Sequence, residues 1–83
     1  MIIYNPKERY VINNKGKYYL NYNDYLLMNM LASGNVVLIN ELVEKLKTRK
    51  DLIQLRVRRL SKHFEIKNKY GIGYCIDEIY IDW

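Results

Sequence analysis

Gln54, Leu55, Arg58 and Arg59 fall on one side of residues 52–64, a segment that reads as a helix. On its other side Ile53, Val57, Leu60 and Phe64 recur at spacings of four, three and four, the stripe that a helix turns toward a core. Helix stability requires the apolar stripe but not so basic an outer face. The outward residue types suit the edges of base pairs. Arginine can make two parallel hydrogen bonds to guanine, glutamine pairs with adenine N6 and N7, and an apolar side chain packs on a thymine methyl. Arg59 is therefore the foremost candidate for a guanine contact, and Arg58 for a base or a phosphate. Gln54 suits adenine and Leu55 a thymine methyl. Leu52 and Leu55 also have a blander reading, burial against a protein.

Downstream, Lys67-Asn68-Lys69-Tyr70-Gly71-Ile72-Gly73-Tyr74 is a basic turn with two glycines between strand-like residues. Lys67 and Lys69 flank Asn68 at the expected tip and suit a phosphate or a minor groove. Gly71 and Gly73 permit the bend, whether or not it touches a ligand. Arg49, Lys50 and Lys62 are further phosphate candidates, with ordinary solvated charge as the alternative.

The net charge of +5 is modest but unevenly placed. Ten of the fourteen Lys and Arg lie between Lys45 and Lys69, where Asp51 and Glu65 are the acids. Such a concentrated basic segment attracts polyanions, nucleic acid foremost. Lys45 and Lys47 also suit the C-terminal end of a helix dipole. Other chemistry is poorly provided for. His63 has no second His or Cys at metal-ligand spacing, and Cys75, in a strand pattern, reads as a small core residue. Gly71-Ile72-Gly73 is too short for a phosphate loop and no helix follows it. Asp77-Glu78 lacks an obvious base or metal partner. No catalytic residue, metal site or cofactor is expected.

The elements that must hold these residues can be read along the chain. Eighty-three residues suit a single domain, 1–83, with one modest core. Apolar residues make up 49% of the chain, yet no run of them exceeds four. A membrane span needs roughly 20. No signal peptide is seen and the single cysteine excludes an internal disulfide, so a cytoplasmic location and no membrane partner are expected. Residues 1–20 read as an antiparallel sheet: Ile2-Ile3-Tyr4 stopped by Asn5-Pro6, then Tyr10-Val11-Ile12 and Tyr18-Tyr19-Leu20 flanking a turn at Asn13-Asn14-Lys15-Gly16. Ile3, Val11 and Tyr19 are expected to cover the first helix.

Residues 21–64 read as three helices. Asn21 with Asp24 forms a variant capping box for a helix over about 22–33 that buries Tyr25, Leu26, Met28 or Met30, and Leu31, with Gly34 as its stop. Val36-Val37-Leu38 looks like a connecting strand. A second helix over about 39–47 buries Leu42, Val43 and Leu46, and Thr48 to Asp51 has the spacing of a capping box for the third. The tight turn between them has helix-turn-helix character. Residues 65–83 supply one or two closing strands.

In order, these elements resemble the OmpR/PhoB-type effector domain, the winged helix that ends many two-component response regulators. Ile3 to Val11, Gly16 and Leu20 to Leu27 look like that family's N-terminal sheet running into its first helix. Gly34-Asn35-Val36-Val37 and Glu41-Leu42-Val43 resemble the start of its second. Residues 53–60 match its recognition helix, and Tyr70-Gly71-Ile72-Gly73-Tyr74 its wing. The resemblance implies an α+β winged helix-turn-helix, with an N-terminal antiparallel sheet, three helices and a C-terminal β-hairpin wing. Its implied partner is double-stranded DNA, bound as a monomer or weak dimer by a small transcriptional regulator. The alternative is an interaction module that modulates RNA polymerase or another transcription protein. The chain departs from the family at three places. Leu38 replaces a polar helix cap, leaving Asn40 as an alternative. The loop that can contact polymerase shrinks to residues 48–50. Tyr70 stands where the wing often carries arginine. The resemblance covers the effector domain alone, without a receiver domain.

Overall fold

β-Branched and aromatic runs separated by turn formers fold the N-terminal segment into three strands, β1 (Ile2–Asn5), β2 (Tyr10–Asn13) and β3 (Gly16–Tyr19). In the computed structural model, which describes residues 1–82, they pair antiparallel, with Tyr4 opposite Val11 and Val11 opposite Tyr18. Asn13 Oδ1 accepts from the amides of Lys15 and Gly16 and closes the expected turn. A fourth strand, β7 (Ile79–Ile81), lies parallel to β1 and gives the order β3-β2-β1-β7. The sheet is therefore mixed, not purely antiparallel. Its pleat also corrects the inward set. Ile2, Tyr4 and Val11 are buried, whereas Ile3 is half-buried and Tyr19 exposed. Side chains alternate across a strand, so turning Ile2 and Tyr4 inward turns Ile3 out.

α1 (Tyr22–Leu31) starts as expected: Asn21 Oδ1 accepts from the Asp24 amide at 2.8 Å. It buries Leu27, Met28 and Leu31, while Tyr25, Leu26 and Met30 are half-buried. The helix stops two residues early, and Gly34, at φ +78°, carries the chain through the turn that follows. β4 (Val37–Leu38) leads directly into α2 (Ile39–Leu46). Leu38 occupies the cap position without a side-chain bond, and Asn40 lies inside the helix. Lys47 takes left-handed angles at the C-cap of α2, and α3 (Lys50–Leu60) begins from Arg49. The expected Thr48 capping box does not form. The cap falls one residue later, and Arg49 Nε instead pairs with Asp51 at 3.4 Å. α3 is shorter than expected, yet Phe64 is still buried beyond its end.

β5 (Lys67–Lys69) and β6 (Gly73–Cys75) form an antiparallel hairpin, and β6 also pairs with β4. The closing segment thus holds three strands, including β7, rather than one or two. The described residues form a small α+β fold of three helices and two sheets. One core joins them, built from Tyr4, Val11, Leu27, Leu42, Ile53 and Leu60 among others.

The hairpin's glycines have different jobs. Gly71 sits at φ +70° with nothing near a would-be Cβ, so only its backbone angles need glycine. Gly73 has no such angle, but a Cβ there would lie 2.7 Å from the Val37 carbonyl oxygen and 2.9 Å from Val36 Cγ1. Gly73→Ala must push β6 away from β4. It is expected to destabilise the fold by about 1–3 kcal/mol, read as a lowered melting temperature. An unchanged melting temperature would show that this strand contact is not tight.

Candidate nucleic-acid interface

α3 divides as its sequence demands. Ile53, Val57 and Leu60 are buried, while Gln54, Leu55, Arg58 and Arg59 are exposed on one helix, with Lys62 just beyond its end. Leu55 remains 45% exposed in the middle of this outer side. Helical spacing places Arg58 and Arg59 on opposite flanks of Leu55. Tyr74 of β6 is buried, and burial raises its hydroxyl pKa, partly offset by the charge of Arg58. Arg59 leans toward the start of α1, its Nη2 3.7 Å from Asp24 Oδ1.

The sequence marks Asp24 only as part of a helix cap. Its side chain is 2% exposed and Oδ1 has no hydrogen-bond partner. Burial raises its pKa, opposed by the charges of Arg59, Arg56 and His63. Its spacing from Asn21 signalled the helix start, but nothing local signalled a partner on α3.

The hairpin corrects the expected arrangement of its tip. Asn68 lies within β5, and its Oδ1 accepts from the Gly71 amide at 3.0 Å, closing the turn. The tip is therefore Tyr70-Gly71-Ile72, with Tyr70 90% exposed at φ 58° and Ile72 also exposed. Lys67 lies at the hairpin's base and pairs with Asp77 Oδ2 at 2.5 Å. Hydrogen bonds from Lys67 and then from the Cys75 thiol lower the Asp77 pKa, and the same Asp77 bond raises that of Lys67. Cys75 is buried, and burial is the main cause of its raised thiol pKa. Lys69, nearer the tip, makes no ion pair among the described residues. Lys50 and Lys62 are exposed, while Arg49 is engaged by Asp51.

His63 is held at the junction of α3 and the first sheet. Its ring packs edge-on against Tyr18, and its carbonyl accepts from the Asn13 amide group. Among the described residues no helix is long and apolar enough to cross a membrane. No protein-family model matches the chain, and neither a curated protein nor a solved structure does so.

Proposed function

We propose that this chain is a winged-helix protein that binds double-stranded DNA with sequence preference, as a small transcriptional regulator. In this reading α3 lies in the major groove and the β5–β6 hairpin is the wing, on the backbone or in the minor groove. One observation carries it. α3 is anchored by Ile53, Val57 and Leu60 while presenting Gln54, Leu55, Arg58 and Arg59 outward from a rigid element. The short connection from α2 to α3, with a hairpin following, supports the arrangement. So does the crowding of cations between Lys45 and Lys69.

Selection from random duplexes, followed by binding measurements over a salt series, tests the reading. Contact with phosphates releases counterions, so affinity must fall steeply as salt rises. The ion pair at the hairpin's base sharpens the expectation. Lys69→Ala should weaken preferred and random duplexes alike and reduce the salt slope by about one unit. Lys67→Ala should change the slope less, because Asp77 already neutralises that charge. Equal slopes for both variants and the unaltered chain would remove the hairpin from the interface.

A second reading has its own support. The hairpin tip is aromatic and apolar, and Leu55 is exposed on α3. Such groups suit a protein surface, with RNA polymerase or another transcription protein as the partner. Binding to that partner would vary little with salt, which separates the two readings.

A further inference from the structure

Asp24 does not occupy the place of a simple capping residue. A capping-box side chain turns back to the amide of the cap residue, whereas the Asp24 carboxylate is buried with Oδ1 unbonded. A buried carboxylate oxygen without a hydrogen bond is costly, and such groups call for a reason. The ion-pair partner in reach is Arg59, at 3.7 Å. The two groups differ sharply in exposure, 2% for the Asp24 side chain and 50% for that of Arg59. The pair therefore runs from the interior to the rim of α3.

We propose that Asp24 is a positioning residue for DNA recognition: it holds the Arg59 guanidinium at the rim of α3, so that its outer N–H donors meet a guanine edge in a fixed orientation. The inference rests on the DNA-binding reading. An arginine side chain has many rotamers, and ordering it on DNA lowers affinity. A carboxylate beneath the guanidinium restricts it before DNA arrives. Arginine offers five donors in a planar fork, so an inner contact leaves others free. Random duplexes engage charge rather than orientation, so they gain nothing from this restraint.

Asp24→Asn keeps the size of the side chain and removes its charge. It should lower affinity for the selected duplex about tenfold and leave random-duplex affinity equal or slightly higher, since an anion is lost. In an Arg59→Ala background the same substitution should change discrimination no further. Arg59→Lys keeps the charge but not the fork, and should reproduce the loss of discrimination should Asp24→Asn fold poorly. The free protein supplies a readout independent of DNA. In its NMR spectrum at low temperature the Arg59 Nη–H signals should exchange with water more slowly than those of Arg58, and Asp24→Asn should abolish the difference. Equal exchange in the unaltered chain overturns the proposal. So does a variant whose melting temperature shifts while discrimination between duplexes stays intact. An unaltered chain that prefers no duplex rejects the DNA-binding reading itself, and the inference with it, before any variant is made.

Discussion

Removing residues 1–20 is expected to abolish the cooperative unfolding of this chain. β1 lies between β2 and β7, so its loss strips β7 of its pairing partner at the far end of the chain. The deletion also removes Ile2, Tyr4, Val11 and Leu20 from the core. Truncating one large buried side chain costs about 2–5 kcal/mol, and a whole domain is stable by only about 5–15 kcal/mol. Four such losses, with the sheet's backbone bonds, exceed what a domain of this size can lose. Tyr4→Ala gives a graded version. Tyr4 is 1% exposed, and its hydroxyl donates to Asn29 Oδ1 of α1 at 2.5 Å, so the sheet is tied to the helix by both packing and a hydrogen bond. That substitution should cost about 3–5 kcal/mol. Thermal melts followed by circular dichroism and calorimetry would measure both. A truncated chain that still melts sharply would make the sheet peripheral, and the fold would then centre on the helices.

What the sequence specified locally was readable from it. Asn21 as a helix cap, Gly34 after α1, and Ile53, Val57 and Leu60 as a buried stripe each depend on neighbours within one or two turns. The misread features depend on remote partners or on one-residue shifts. The parallel pairing of β7 with β1 joins the two ends of the chain, and no local pattern distinguishes it from a closing hairpin. Ile3 faces out while Ile2 and Tyr4 face in, and since alternation leaves no intermediate answer, a shift of one residue reverses both faces of the strand. The cap of α3 falls on Arg49 rather than Thr48, and Asn68 lies within β5 and closes the turn rather than standing at its tip. At the candidate site, the residue types and their shared helix side could be read. Which cations are free could not. The Lys67–Asp77 and Arg59–Asp24 pairs exist only because the fold brings separate elements together.

Replacing both Arg58 and Arg59 by alanine is expected to cost about 2–6 kcal/mol on the selected duplex and much less on random DNA, since each bidentate base contact discriminates by about 1–3 kcal/mol. The single variants separate the two flanks of α3. Arg58→Ala should relax preference at a base pair other than the one relaxed by Arg59→Ala, because helical spacing sets the two residues on opposite flanks of Leu55. Arg59→Ala carries a second effect that must be measured beside binding. It leaves the buried Asp24 without its nearest cation, so the variant should lose about 1 kcal/mol of stability, moderated by the half-exposed setting of Arg59. The sign with pH follows from the pair. Arg59 lowers the raised Asp24 pKa, so its removal raises that pKa further. The deficit against the unaltered chain is then full where Asp24 is ionised in both. It shrinks as pH falls and vanishes once Asp24 is protonated in both. A deficit unchanged down to acid pH would mean that the two groups do not interact. Leu55→Ala, from the centre of the same side, should relax preference at one A·T position and leave random-duplex affinity nearly intact. Equal losses on every duplex for all three variants would reduce α3 to an electrostatic patch. No loss for any of them would turn the exposed face of α3, with Leu55 at its centre, over to a protein partner.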